Sequence, residues 1–76
     1  MNNRRRNKLE NILGLLESAK DCLEAVLNEE ENCRDNIPEN LQGSERYELV
    51  EAACDNLTEA VDGLDTAIEA INQATV

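Results

Sequence analysis

The sequence predicts an all-α, antiparallel two-helix hairpin that assembles into a homodimeric four-helix bundle or a higher oligomer. Three observations lead there: apolar residues recur in steps of three and four along two long segments, a stretch holding Pro38 and Gly43 divides them, and the apolar positions outnumber what one helix pair covers. The chain has 76 residues, no Phe or Trp and one Tyr. Its core is therefore small and aliphatic, in a size range where folding usually leans on disulfides, metal or association. Strands, which favour aromatic and β-branched residues, are disfavoured.

The first helix is expected over about residues 8–35, where Leu9, Ile12, Leu16, Ala19, Leu23 and Val26 form one stripe. Ahead of it, residues 1–7 carry Arg4, Arg5 and Arg6 and read as a basic, frayed tail beside the acidic end of the second helix. Pro38 cannot sit inside the first helix, so residues 36–43 form the turn. The second helix then covers about residues 44–75, with Ser44 as N-cap and Glu45 in the first turn, where negative charge suits the helix dipole. Its stripe runs Val50, Ala53, Leu57, Ala60, Leu64, Ala67, Ile71 and Ala74. Gly63, inside that helix, is either a close-approach position or a tolerated surface glycine.

Folding the two stripes together pairs Leu16 with Leu64, Leu23 with Leu57, Ile12 with Ala67 and Ala19 with Ala60. In this register the alanine row faces the first helix. Leu13, Leu15, Leu27, Leu49, Val61 and Ile68 are left on the flanks and form the expected oligomer interface. Each buried side chain of this size is worth roughly 1.5–3 kcal/mol, enough in sum to hold a dimer.

The net charge of −10 disfavours direct binding to nucleic acid or anionic membranes. The basic N-terminus is not followed by a signal-peptide core, no run approaches a membrane span, and the Asn56-Leu57-Thr58 sequon is a chance match, so a cytoplasmic location is expected. Three cysteines without a CxxC pair indicate neither a disulfide framework nor a zinc site; Cys22 and Cys54 read as small core residues and Cys33 as partly exposed near the turn. There is no histidine, and Asp55, Asp62, Asp65 and Glu69 fall on an outer helix face. Neither an enzymatic activity nor a cofactor or metal is expected.

Two features can bind. From Tyr47 to Val76 there are seven acidic residues and no Lys or Arg; such a surface either keeps the chain soluble or imitates a polyanion before a basic host protein. At the turn, the hairpin register brings Arg34 beside Arg46, with Tyr47 and Ser44 adjacent. Two arginines, helix N-terminal amides and a ring are the parts of a pocket for a small anionic or nucleotide ligand. The bland alternative pairs Arg34 with Glu30 or Glu31 and Arg46 with Glu48.

The turn "NIPENLQGSERYE" followed by "AACDNLTEAVDGLDTAIEAI" resembles small uncharacterised acidic proteins encoded by phages and prophages of Gram-positive bacteria. The resemblance spans about residues 33–71 and rests on the Pro-Glu-x-Leu-Gln-x-Ser-Glu-Arg pattern of Pro38 to Arg46 and the heptads behind it. It transfers no site residues. It implies a self-associating interaction protein in host cytoplasm, with a counter-defence role in sequestering a ligand or a host protein; polyanion mimicry and a structural or scaffold role are the alternatives.

Overall fold

The computed structural model describes all residues, 1–76. It is all-helical: α1 spans Asn3–Asp35, a single 3-10 turn covers Glu39–Leu41, and α2 spans Glu45–Ala74. The helices lie against each other as a hairpin 59 Å long and 13–15 Å across.

Both helix starts are capped from the sequence. Ser44 Oγ accepts the Tyr47 N–H at 3.2 Å, and Glu45 and Glu48 occupy the first turn of α2; a cap of this kind is worth about 1 kcal/mol. At the other helix Asn2 Oδ1 accepts the Arg5 N–H at 2.9 Å. The basic run Arg4-Arg5-Arg6 accordingly lies within the first turns of α1. α1 stops at Asp35 because Pro38 disfavours helical geometry at Ile37 and lacks an N–H to continue the ladder.

The seam differs from the expected one by a single residue step on each helix. Along α1 the seam positions, all partly buried, are Leu9, Leu13, Leu16, Lys20, Leu23, Leu27, Glu30 and Arg34, continued by Ile37 in the turn, with Glu24 and Glu31 partly buried beside them. Along α2 they recur as Tyr47, Val50, Cys54, Leu57, Val61, Leu64, Ile68 and Ile71, with Cys54 3% and Val61 8% exposed. Leu13, Leu27, Val61 and Ile68, expected on the oligomer interface, therefore fill the contact within the hairpin. Ile12 and Val26, expected inside, are 42% and 46% exposed. Ala60 and Ala74 are exposed as well, and Ala53 and Ala67 sit at the edge of the seam. Two heptad rows overlap in each helix; on α2 the bulkier row wins, because Val61 and Ile68 remove more apolar surface from water than Ala60 and Ala67, at about 0.8 kcal/mol per methylene, and on α1 Leu13 and Leu27 turn inward with Lys20 between them.

The register also shifts, by about one helical turn. Lys20 Nζ reaches Asp65 at 2.6 Å and Glu24 at 3.6 Å, and Arg34, Glu31 and Glu30 lie near enough to Cys54 to act on its thiol. These anchors place Leu16 level with Ile68, Leu23 with Val61 and Leu27 with Leu57. The cause is the connection. The 3-10 turn Glu39–Leu41 carries the chain past the end of α1 before it returns, so α2 starts higher than a symmetric turn would put it. At the opposite end the first two turns of α1 project beyond Ala74.

Lys20 takes a seam position that an aliphatic residue would otherwise fill. Its hydrogen bond to Asp65 raises its pKa above the ordinary lysine value, opposed by desolvation and helped by the charges of Asp65 and Glu24. The bridge is thus complete at neutral pH, and on the alkaline side it is lost as the pH climbs through that raised value. A charged residue inside a helical seam selects one register over its neighbours.

The seam assignment makes a direct prediction. Val61→Ala should destabilise the hairpin by about 2 kcal/mol, combining lost transfer energy and an unfilled gap, whereas Ala60→Ser should shift the thermal midpoint little. Circular dichroism melts of the two variants check this; equal effects would return the alanine row to the seam.

Candidate functional site

The seam sorts the remaining side chains onto two different sides. On one side Glu10, Glu17, Asp21, Glu24, Glu31 and Asp35 of α1 flank Glu48, Glu51, Asp55, Asp62, Asp65 and Glu69 of α2, twelve of the chain's seventeen carboxylates. This follows from spacing, since each group stands four or one positions after a seam residue. The two basic residues in the seam lean the same way. Lys20 bridges to Glu24 and Asp65, and Arg34 Nε donates to Asp35 at 3.2 Å with Glu31 3.9 Å from its terminal nitrogen. The hydrogen bond to Asp35 is the main reason the Arg34 guanidinium is held above its ordinary pKa. Every ion pair of the hairpin belongs to these two side chains.

The opposite side carries almost no charge in its middle: Ile12, Leu15, Ala19, Cys22 and Val26 from α1 lie beside Ala53, Ala60, Gly63, Ala67 and Ala70 from α2. Leu15 is 71% and Leu49 65% exposed. Of the six residues expected to form an oligomer interface, these two alone remain on the surface to do so.

At the turn the expected two-arginine pocket is not assembled. A shallow cavity of about 260 Å³ is lined by Cys33, Asn36, Ile37, Pro38, Leu41, Ser44 and Arg46. Arg46 and Ser44 are there, the latter with its hydroxyl engaged as the helix cap. Arg34 is drawn to the carboxylate side by Asp35 and Glu31, and Tyr47 occupies a seam position. The register shift explains the separation, because Arg34 now stands level with Val50 and not with Arg46. Arg46 has no carboxylate within ion-pairing distance in the chain, and neither have Arg4, Arg5, Arg6 and Lys8.

The three cysteines are free thiols. Cys22, expected in the core, is exposed like Cys33, while Cys54 is the most buried residue of the chain. Burial pushes the Cys54 thiol above its usual pKa; Arg34 pulls it down, and Glu31, Glu30 and Asp55 push it further up. No set of carboxylates and cysteines is grouped to hold a metal ion, and no helix is long and apolar enough to cross a membrane.

Brief alkylation of the native protein should modify Cys33 and leave Cys54 largely unmodified, as the thiolate is the reacting form. Peptide mass spectrometry reads the sites, and rapid Cys54 labelling would overturn its placement in the seam.

No family model, curated protein or solved structure matches the chain.

Proposed function

We propose that the protein is a non-enzymatic, self-associating interaction protein that captures a basic protein partner on its carboxylate side. The observation supporting this is the sorting of charge: twelve carboxylates share one side of a hairpin, and the only cations among them, Lys20 and Arg34, are held by their own neighbours. Carboxylates spaced along helices of this length present a rod of negative potential. Such a field raises the encounter rate with cationic surfaces and rejects anionic ones. The partner best suited to it is a host protein whose basic groove otherwise receives a polyanion. In the setting implied by the resemblance of Pro38 to Arg46 to phage-encoded proteins, blocking that groove in host cytoplasm is a counter-defence act.

Self-association fits the same geometry. The apolar side faces away from the carboxylates, so copies joined there leave every acidic side available.

The triple variant Asp55→Lys, Asp62→Lys, Glu69→Lys leaves the Lys20 bridge to Asp65 in place and keeps the seam intact. In a pull-down from bacterial lysate it should lose the basic proteins held by the unaltered chain by roughly tenfold or more, and wild-type capture should weaken as salt rises. Undiminished capture by the triple variant would overturn the reading.

A second reading, capture of a small anion or nucleotide at the turn, is favoured by one observation: Arg46 lines the cavity beside Ser44 and has no ion partner in the chain. Native mass spectrometry of gently purified protein should then show a retained small mass that Arg46→Ala removes while helicity is unchanged. Absence of added mass in the unaltered protein would discard it.

A further inference from the structure

We infer that two copies pair antiparallel across the apolar side, each α1 lying along the α1 of the other copy, with the two turns at opposite ends. This rests on the self-association proposed above and adds to it the surface, the orientation and the contacts. Each helix carries a second row in steps of three and four, outside the seam. On α1 it reads Ile12, Leu15, Ala19, Cys22 and Val26, all exposed. On α2 the matching row holds Ala53, Asn56, Ala60, Gly63, Ala67, Ala70 and Ala74, apolar at every position but Asn56. An alternation sustained this long is a helix-packing surface, and here it has no occupant within the chain.

Two quantities name the occupant as another copy. A folded monomer of 8.5 kDa is expected to expose about 4,650 Å², whereas this chain exposes 5589 Å². The excess, about 900 Å², comes from the elongated shape of the hairpin, and a second copy covering roughly 800 Å² of it would make a standard interface. Charge then sets the orientation. Arg4, Arg5, Arg6 and Lys8 crowd one end of the hairpin without ion partners, and Glu29, equally unpaired, interrupts the apolar row near the other end. With turns at the same end, the two basic clusters would stand side by side and repel. With turns opposed, Ala19 of one copy comes level with Cys22 of the other and Leu15 with Val26, and Lys8, level with Cys33, stands about one helical turn from Glu29. The α2 helices then meet Gly63 to Ala67, and a Cβ added at Gly63 would touch nothing of its own chain within 4 Å. The position is open, as it is at Gly14 and Gly43, and in the proposed dimer it lets the second copy approach closely.

Cysteine crosslinking with a short bis-maleimide reads the orientation, because the buried Cys54 stays out of the reaction. In the proposed dimer Cys22 lies within about 5 Å of its counterpart along the helix axis, and Cys33 about 37 Å from its own. Cys33→Ser should therefore give a covalent dimer at micromolar protein, and Cys22→Ser should not. Sedimentation of the unlinked protein separates the possible failures. A monomer overturns self-association and this inference together, while a dimer with any other crosslinking pattern overturns only the antiparallel arrangement. Gly63→Leu provides the second readout: it should dissociate the dimer with helicity preserved, and a dimer undisturbed by it would remove α2 from the interface.

Discussion

A two-helix hairpin owns a single seam, and the width of that seam governs everything else in this molecule. Only Cys54 and Val61 fall below the exposure of a core residue, although the chain orders two helices of about thirty residues each. Fixing each backbone residue costs about 1–2 kcal/mol in conformational entropy, and one row of half-buried leucines, valines and isoleucines offsets that only partly. Helix caps at Asn2 and Ser44 contribute locally and cannot change the balance. Apolar surface must be covered elsewhere, and the hairpin has one uncharged side on which to do it.

The seam also spends some of its length on polarity. Lys20, Glu30 and Arg34 occupy positions where aliphatic residues would bury more area. In return, a lysine that can reach Asp65 only when the helices stand at one height penalises sliding by a turn. Without it, Leu16 could rest against Leu64 nearly as well as against Ile68, because both rows repeat every seven residues. The charged layer thus reinforces the register that the turn sets, and cohesion comes from the aliphatic layers around it.

This is also where sequence reading reaches its limit. The helices, the turn and the Ser44 cap were legible because each depends on residues close together: apolar steps of three and four, Pro38, and a hydroxyl three residues before the amide it caps. The seam was not, since Ile12 and Leu13, or Ala60 and Val61, begin heptads of equal regularity, and only the competition for buried area separates them. The height of one helix against the other depends on the path through Glu39–Leu41, a detail with no periodic signature. From that displacement follows the separation of Arg34 from Arg46, whereas the inward turn of Leu13, Leu27, Val61 and Ile68 and the exposure of Cys22 follow from which row fills the seam.

Once the seam is set, the side that associates is decided by repulsion as much as by attraction. Two copies brought together through their carboxylate sides would confront a dozen like charges each, at separations well inside the screening distance of about 8 Å at physiological salt. No arrangement of Lys20 and Arg34 relieves this, because both are already engaged. The uncharged side faces no such barrier, and its alanines and Gly63 let helix backbones approach closely enough for dispersion to add up along their length. The charge that would draw the proposed basic partner to the carboxylate side is therefore the one that opposes self-pairing there, so the two proposed contacts do not compete for the same surface.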